Sequence, residues 1–263
     1  MNKTVVGLLT AILVSFGATV AHAATLGVPS YSYPGTEKDF WSQLPGRKDD
    51  NRTGRRDDSR GAIYVINPNS GVGTLQDATY EAVVKKARAQ GVTVYGYVFT
   101  HYGNRPASEI KKEVAPYKAW YGVHGIFLDE TQLDKEHWTY YAGLSQMLLK
   151  SGLQIAFNPG QAQIDPHFMN LAHHVVTFEG SYVDYQIAVM PTWTRSFPAK
   201  KFWHMIYDAP DLTAFQQTLN LTRKNNAGVV FITNDKLPNP YDEVPPYWSQ
   251  EIKLLQDHKT GRH

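Results

Sequence analysis

The chain has 263 residues, no cysteine and a formal net charge of +2, with 26 Lys and Arg set against 24 Asp and Glu. Matched charge excludes nucleic acid as a partner recognised through a basic patch, and the missing cysteine excludes a disulfide framework and thiol chemistry. Aromatic residues make up 13% of the chain, so core packing alone must hold it together, and about 240 residues suit one large domain.

Met1-Asn2-Lys3 precedes the apolar segment Val5 to Val20 and then Ala21-His22-Ala23. A short positive start, an apolar stretch and an A-x-A site read as a secretory signal peptide cleaved after Ala23. The segment is shorter than the roughly 20 residues a spanning helix needs, and it carries Thr10, Ser15 and Thr19. The expectation is a secreted or periplasmic domain over residues 24–263, with no stable membrane insertion after cleavage.

Val28 to Gly35 reads as a first short strand closed by Pro-Gly, followed by a helical segment around Lys38 to Leu44. The mixed-sign run Arg47 to Arg60 reads as a solvated loop. Gly61 to Pro68 is the second strand. Thr74 to Asp77 matches a capping box opening a helix, with Tyr80, Val83, Val84 and Ala87 on one face and Gly91 as its stop. Val92 to Thr100 is the third strand, and Ser108 to Trp120 a helix bent or ended at Pro116.

Gly125 to Glu130 (GIFLDE) is the fourth strand, an apolar run passing straight into two adjacent carboxylates. Burying an ionised carboxylate is costly unless it is paired, so this stretch marks a candidate site. Asp134 caps a helix running to Lys150, and Leu153 to Pro159 is the fifth strand. Asp165-Pro166 starts a further helix in the favoured order. His174 to Glu179 is the sixth strand, again ending in a carboxylate. A short helix over Ser181 to Val189, a strand over Lys201 to Asp208, a helix over Asp211 to Lys224, a strand over Gly228 to Asp235 and a helix near Trp248 to Gln256 complete the chain.

Eight alternations of strand and helix imply a parallel sheet, and their number and spacing imply a single (β/α)8 TIM barrel of class α/β. A doubly wound open sheet is the runner-up. In a barrel the C-terminal strand ends share one mouth, where active sites sit. Here that mouth would hold the acids Asp129, Glu130 and Glu179, with Tyr33, Asn67, His101, Asn158, Tyr207, Asp208 and Asn234 around them. Tyr31, Tyr97, Tyr102 and Trp193 lie on or near the mouth strands and loops and complete the expected substrate-binding set. Asn, Tyr and Trp suit sugars, because they bond hydroxyls and offer flat faces to pyranose rings. Paired carboxylates suit glycoside hydrolysis, which needs one carboxyl as acid and another as nucleophile or base.

Rival chemistries lack their signatures. No G-x-S-x-G elbow or P-loop occurs. Gly71-Val72-Gly73 follows a strand, but Gln76 stands where a dinucleotide fingerprint needs its third Gly. The ten histidines form no H-E-x-x-H pattern, and adjacent His173 and His174 would point apart on a strand. No metal and no cofactor is expected.

The stretches VPSYSYPG (28–35), IYVINPNSGVG (63–73), VYGYVFTHYG (94–103), GIFLDE (125–130), FNPG (157–160) and TFEG (177–180) resemble the spherulin-4 family, glycoside hydrolase family 135. That resemblance implies a secreted (β/α)8 barrel hydrolysing α-1,4-linked N-acetylgalactosamine in an exopolysaccharide of galactosaminogalactan type. It carries the family's acidic pair onto Asp129 and Glu130 and its later acid onto Glu179. A polysaccharide would be the partner, and a monomer is expected. Regular alternation puts Val175, Thr177 and Glu179 on one side of the sixth strand and Gly125, Phe127 and Asp129 on one side of the fourth. On that basis Asp129 is the nucleophile, Glu179 the general acid/base, and Glu130 a carboxylate that orients substrate. Two other functions share these features: a sugar-binding barrel without turnover, and a structural coat protein.

Overall fold

The computed structural model describes residues 24–44 and 61–260. The expected signal peptide, Met1 to Ala23, and the charged run from Arg47 to Arg60 lie outside the described residues. Eight parallel strands close into one barrel in sequence order: β1 Thr25–Ser30, β2 Ile63–Ile66, β3 Thr93–Phe99, β4 Gly125–Asp129, β5 Gln154–Phe157, β6 His174–Ser181, β7 Phe202–Tyr207 and β8 Val229–Ile232. The β1–β8 pairing of Thr25 with Val229 and Leu26 with Val230 completes the ring.

The outer layer is α1 Ala78–Ala89, α2 Ala107–Pro116, α3 Trp138–Lys150, α4 Tyr182–Ile187, α5 Leu212–Lys224 and α6 Trp248–Thr260. Asp165 caps only a short 3-10 turn, Pro166–Asn170, between β5 and β6. The expected helix at Lys38 to Leu44 is a series of turns. Asp39 organises them by accepting from Ser42 N at 2.7 Å and Gly35 N at 3.2 Å. Short polar side chains that bond nearby backbone offer the chain a turn in place of a helix.

Other boundaries move for similar reasons. The first strand is Thr25–Ser30, upstream of the expected Val28 to Gly35, because the Tyr31–Gly35 segment leaves the sheet to line the mouth. The first helix is capped by Asp77, which accepts from Thr79 N and Tyr80 N, and not by Thr74. The third helix starts at Trp138 with His137 as its cap residue, while Asp134 accepts from His137 N one turn earlier. Past Pro116 the second helix widens into a π turn, Tyr117–Tyr121, and stops at Gly122 in the left-handed region.

Side-chain alternation sorts the strands into an inner and an outer face. Phe127 and Trp203 meet inside, with ring centroids 5.4 Å apart. A Cβ on Gly27 would stand 2.6 Å from the Trp203 ring, and one on Gly125 would stand 2.8 Å from Tyr95. These glycines make room for large aromatic rings on the barrel floor. Outside, a Cβ on Gly96 would stand 2.6 Å from the Tyr117 ring, so β3 can approach the helix layer. The inner positions above the floor therefore include Tyr97 on β3, Asp129 on β4 and Tyr207 on β7.

Candidate active site

Three strands deliver the polar centre. Asp129 is the last residue of β4, Asn158 follows β5, and Glu179 lies on β6. The Asn158 amide nitrogen donates to Asp129 Oδ1 and to Glu179 Oε2, both at 2.8 Å. One NH2 group thus spans both carboxylates. Their acceptor oxygens are separated by at most twice that 2.8 Å donor–acceptor distance. The other end of the amide is fixed too, since Asn158 Oδ1 accepts from Gly160 N at 2.9 Å.

Glu179 points into the mouth because of a break in alternation. In β6, Val176 pairs with Trp203, Phe178 with His204 and Glu179 with Met205, and a bulge between Val176 and Phe178 leaves Thr177 as the extra residue. Phe178 packs outward against Tyr185 of α4, at 4.6 Å between centroids. Thr177 also faces outward, with Oγ1 3.0 Å from His204 Nε2. The expectation that Thr177 and Glu179 share a side is therefore overturned. Two consecutive outward residues re-phase the strand, and Glu179 reaches the interior through the bulge.

Aromatic hydroxyls complete the collar. Tyr241, in the segment after β8, donates to Glu179 Oε1 at 2.6 Å. Tyr97 hydrogen-bonds Asp129. Tyr31 stands between them, edge-on to Tyr97 at 5.6 Å and to Tyr241 at 5.8 Å. Burial, then Asp129 and neighbouring tyrosines, pushes the Tyr31 hydroxyl well above the ordinary tyrosine range, so it stays protonated.

Both acids are raised from their ordinary values. Desolvation is the main cause at Asp129, tempered by hydrogen bonds from Tyr97, the Glu130 backbone and Asn158. Desolvation also leads at Glu179; Tyr241 and Asn158 favour its charge, whereas the charge of Asp129 opposes it. Like charges this close resist joint ionisation. The Asp129 charge thereby favours retention of the proton on Glu179.

The Asp129–Glu130 turn is locked from behind. Glu130 has φ +51°, in the left-handed region. Its carbonyl accepts from Tyr102 N at 2.7 Å and from Thr100 Oγ1 at 2.8 Å. Thr131 N donates to Asn158 O at 3.0 Å. A strained turn held by three bonds to the segments after β3 and β5 positions the acid beside it. Glu130 is also close enough to Tyr97 for its charge to raise that hydroxyl's pKa.

The remaining expected residues divide. Tyr207, at the end of β7, feels the charges of Asp184, Glu179 and Asp208, and belongs to the mouth. Asp208 and Asn234 follow β7 and β8, with Asp208 Oδ1 3.2 Å from Lys236 Nζ. Asn67 follows β2, but its Oδ1 is committed to Gly71 N at 2.8 Å, which shapes its own loop. His101 and Tyr102 form an exposed, positive-φ turn after β3. Tyr33 is 48% exposed, with its hydroxyl 3.0 Å from Asp77 Oδ2 at the start of α1. Trp193 is not at the mouth. It packs on Phe202, the first residue of β7, at 5.8 Å, on the opposite end of the barrel. Tyr241 is the residue that sequence reasoning missed. Its one signal is an aromatic after Asn239-Pro240, in a segment that must return across the mouth from β8 to α6.

Comparison with known proteins places the fold. The crystal structure of Aspergillus clavatus Sph3 in complex with GalNAc superposes with a TM-score of 0.73 at 23% identity, covering 90% of this chain and 98% of that one. Active domain 2 of a thermostable chitinase from Pyrococcus furiosus, complexed with chito-oligosaccharides, superposes at 0.52 with 10% identity, covering 91% of this chain and 96% of that one. At these identities the likeness is one of fold. Spherulin-4 of Physarum polycephalum is 31% identical over 188 residues, which are 69% of this chain and only 52% of that protein. The match thus spans about half the length of that relative. The model of spherulation-specific family 4, Spherulin4, matches residues 25–255, essentially the entire barrel, and the chain belongs to that family.

Proposed function

We propose that the protein is an exported glycoside hydrolase that cleaves α-1,4-linked N-acetylgalactosamine or galactosamine within an exopolysaccharide of galactosaminogalactan or Pel type, as found in biofilm matrices. The observation that carries this reading is the single Asn158 amide spanning Asp129 and Glu179, with Tyr97 and Tyr241 bonded to one acid each. The likeness of fold to a protein crystallised with GalNAc supports the sugar class.

The close spacing favours retention of configuration, for which carboxyls stand about 5–5.5 Å apart. Asp129, ionised and supported by Tyr97 and Asn158, attacks the anomeric carbon. Glu179, whose proton is retained by desolvation and by the Asp129 charge, protonates the leaving oxygen. Glu179 then accepts a proton from water, which attacks the glycosyl–Asp129 ester and frees Asp129. Glu130 orients the sugar beside Tyr97.

The test is incubation with defined α-1,4-galactosaminan oligomers and mass spectrometry of the products. Asp129→Asn and Glu179→Gln should each lower turnover on the order of 1000-fold while polymer binding persists. Azide added to Asp129→Ala should yield a glycosyl azide of inverted configuration. Near wild-type turnover in both acid variants would replace the hydrolase reading with a sugar-binding one.

A further inference from the structure

We propose that Thr177, clamped from outside the barrel by His204 and Tyr185, is a positioning residue that holds the β6 bulge and so turns Glu179 into the mouth. The inference rests on the reading of Glu179 as the proton donor, and it assigns a mechanistic role to a polar chain that touches no sugar.

The chain crosses three elements. Tyr185 on α4 has its hydroxyl 2.7 Å from His204 Nδ1 on β7, and His204 Nε2 is 3.0 Å from Thr177 Oγ1 on β6. Asn225, at the end of α5, hydrogen-bonds the Tyr185 oxygen. Tyr185, His204 and Thr177 are all at most 1% exposed. Burial holds His204 neutral, with a pKa lowered to about 3. A neutral imidazole has one donor and one acceptor nitrogen. With Asn225 donating to Tyr185 and Tyr185 donating to Nδ1, the Nε2 proton is left to donate to Thr177. The chain thus has one direction and ends on the extra residue of the bulge.

Its consequence lies two residues on. Without the bulge, Phe178 would turn inward and Glu179 outward, because a one-residue shift exchanges the faces of a strand. Two features hold the bulged phase. Thr177 is bonded outward to His204, and the Phe178 ring packs over Gly180, where a Cβ would lie 2.9 Å from the ring. At the mouth Gly160 O accepts from Glu179 N at 2.9 Å, beyond the bulge; the extra residue itself, Thr177, is bonded on the outside. The groups facing Glu179 from other elements are Tyr31, Tyr97, Asp129, Asn158, Tyr207 and Tyr241, and each meets a Glu179 that already points inward.

The experiment compares Thr177→Val, Thr177→Ser and Tyr185→Phe in the full chain. The Glu179 carboxyl is titrated by carbon NMR, and kcat and KM are measured against pH on galactosaminan oligomers. Thr177→Val keeps the shape and removes the hydroxyl. Glu179 should then leave its seat beside Asp129, Asn158 and Tyr241, and its titration midpoint should move from the wild-type position. The kcat should drop about tenfold or more with KM nearly unchanged, and the alkaline limb of the pH profile should move with that midpoint. Thr177→Ser should restore both readouts, which a role in shape alone would not predict. Tyr185→Phe leaves Thr177 in place and should move the midpoint in the same direction; it decides the matter if Thr177→Val does not fold. An unshifted Glu179 midpoint in the folded variants overturns the proposal. The NMR titration needs no turnover, so an inactive wild-type protein would remove the hydrolase reading while the bulge is still judged.

Discussion

Tyr241 donates to Glu179 Oε1, and this bond favours the charged form of an acid that must be protonated to act. Tyr241→Phe should therefore raise the Glu179 pKa further. Activity would persist to higher pH, because the proton donor is lost only as pH rises through its pKa. At the same time kcat should fall by roughly tenfold as the carboxyl loses its anchor. A pH–rate profile checks both, and an alkaline limb that moves down or stays fixed contradicts the assigned role. At this scale the acids were legible because a carboxylate ending a buried strand is expensive and draws attention. Tyr241 was not, since nothing local in Asn239-Pro240-Tyr241 says that the segment folds back over the mouth. Tyr31 and Tyr97 were legible from strand position. Trp193 shows the reverse error: an aromatic near a strand in sequence stood at its wrong end, stacked on Phe202.

Strand pattern announced eight elements, and eight strands closed in order. What it could not announce was phase. Strict alternation groups Thr177 with Glu179, and the bulge separates them. The correct placement of Glu179 thus had a different cause from the one alternation offered. Helix starts shifted for a related reason. Several Ser, Thr and Asp residues compete to cap, and tertiary contacts choose among them, as the Tyr33–Asp77 bond does at α1. The floor of β1 offers a direct test of packing. Gly27→Ala would place a methyl 2.5 Å from Val229 Cγ1 and 2.6 Å from Trp203, neither free to retreat inside a closed barrel. Overpacking of this kind costs about 1–3 kcal/mol. Urea unfolding should show that loss, and an unchanged midpoint would mean the floor is looser than its distances imply.

Across the whole barrel, buried titratable groups set opposing demands on pH. His204 and His174 are held neutral by burial, with pKa values lowered to about 3 and about 4. In the unfolded chain they titrate near 6.5. Between those values the unfolded state binds more protons, so stability falls as pH falls. Their contribution is complete above about pH 6.5 and is lost progressively on the way down to the folded values. At about 1.4 kcal/mol per pH unit, His204 alone accounts for roughly 3–5 kcal/mol.

Glu251 on α6 acts in the other direction. It is fully buried, and burial raises its pKa well above the ordinary glutamate value. Its contribution is complete below the unfolded glutamate pKa and is lost as pH rises toward the folded one, with Asp129 and Glu179 adding to the same slope. The protein should therefore be most stable in a narrow mildly acidic to neutral window, squeezed by histidines below and carboxyls above. Glu251→Gln removes one of the carboxyls on the upper side of that squeeze. Measured as the melting temperature against pH, its advantage over the wild type should be absent near pH 4 and should grow as pH rises. An advantage of equal size at every pH would show that Glu251 is ionised, or paired, throughout.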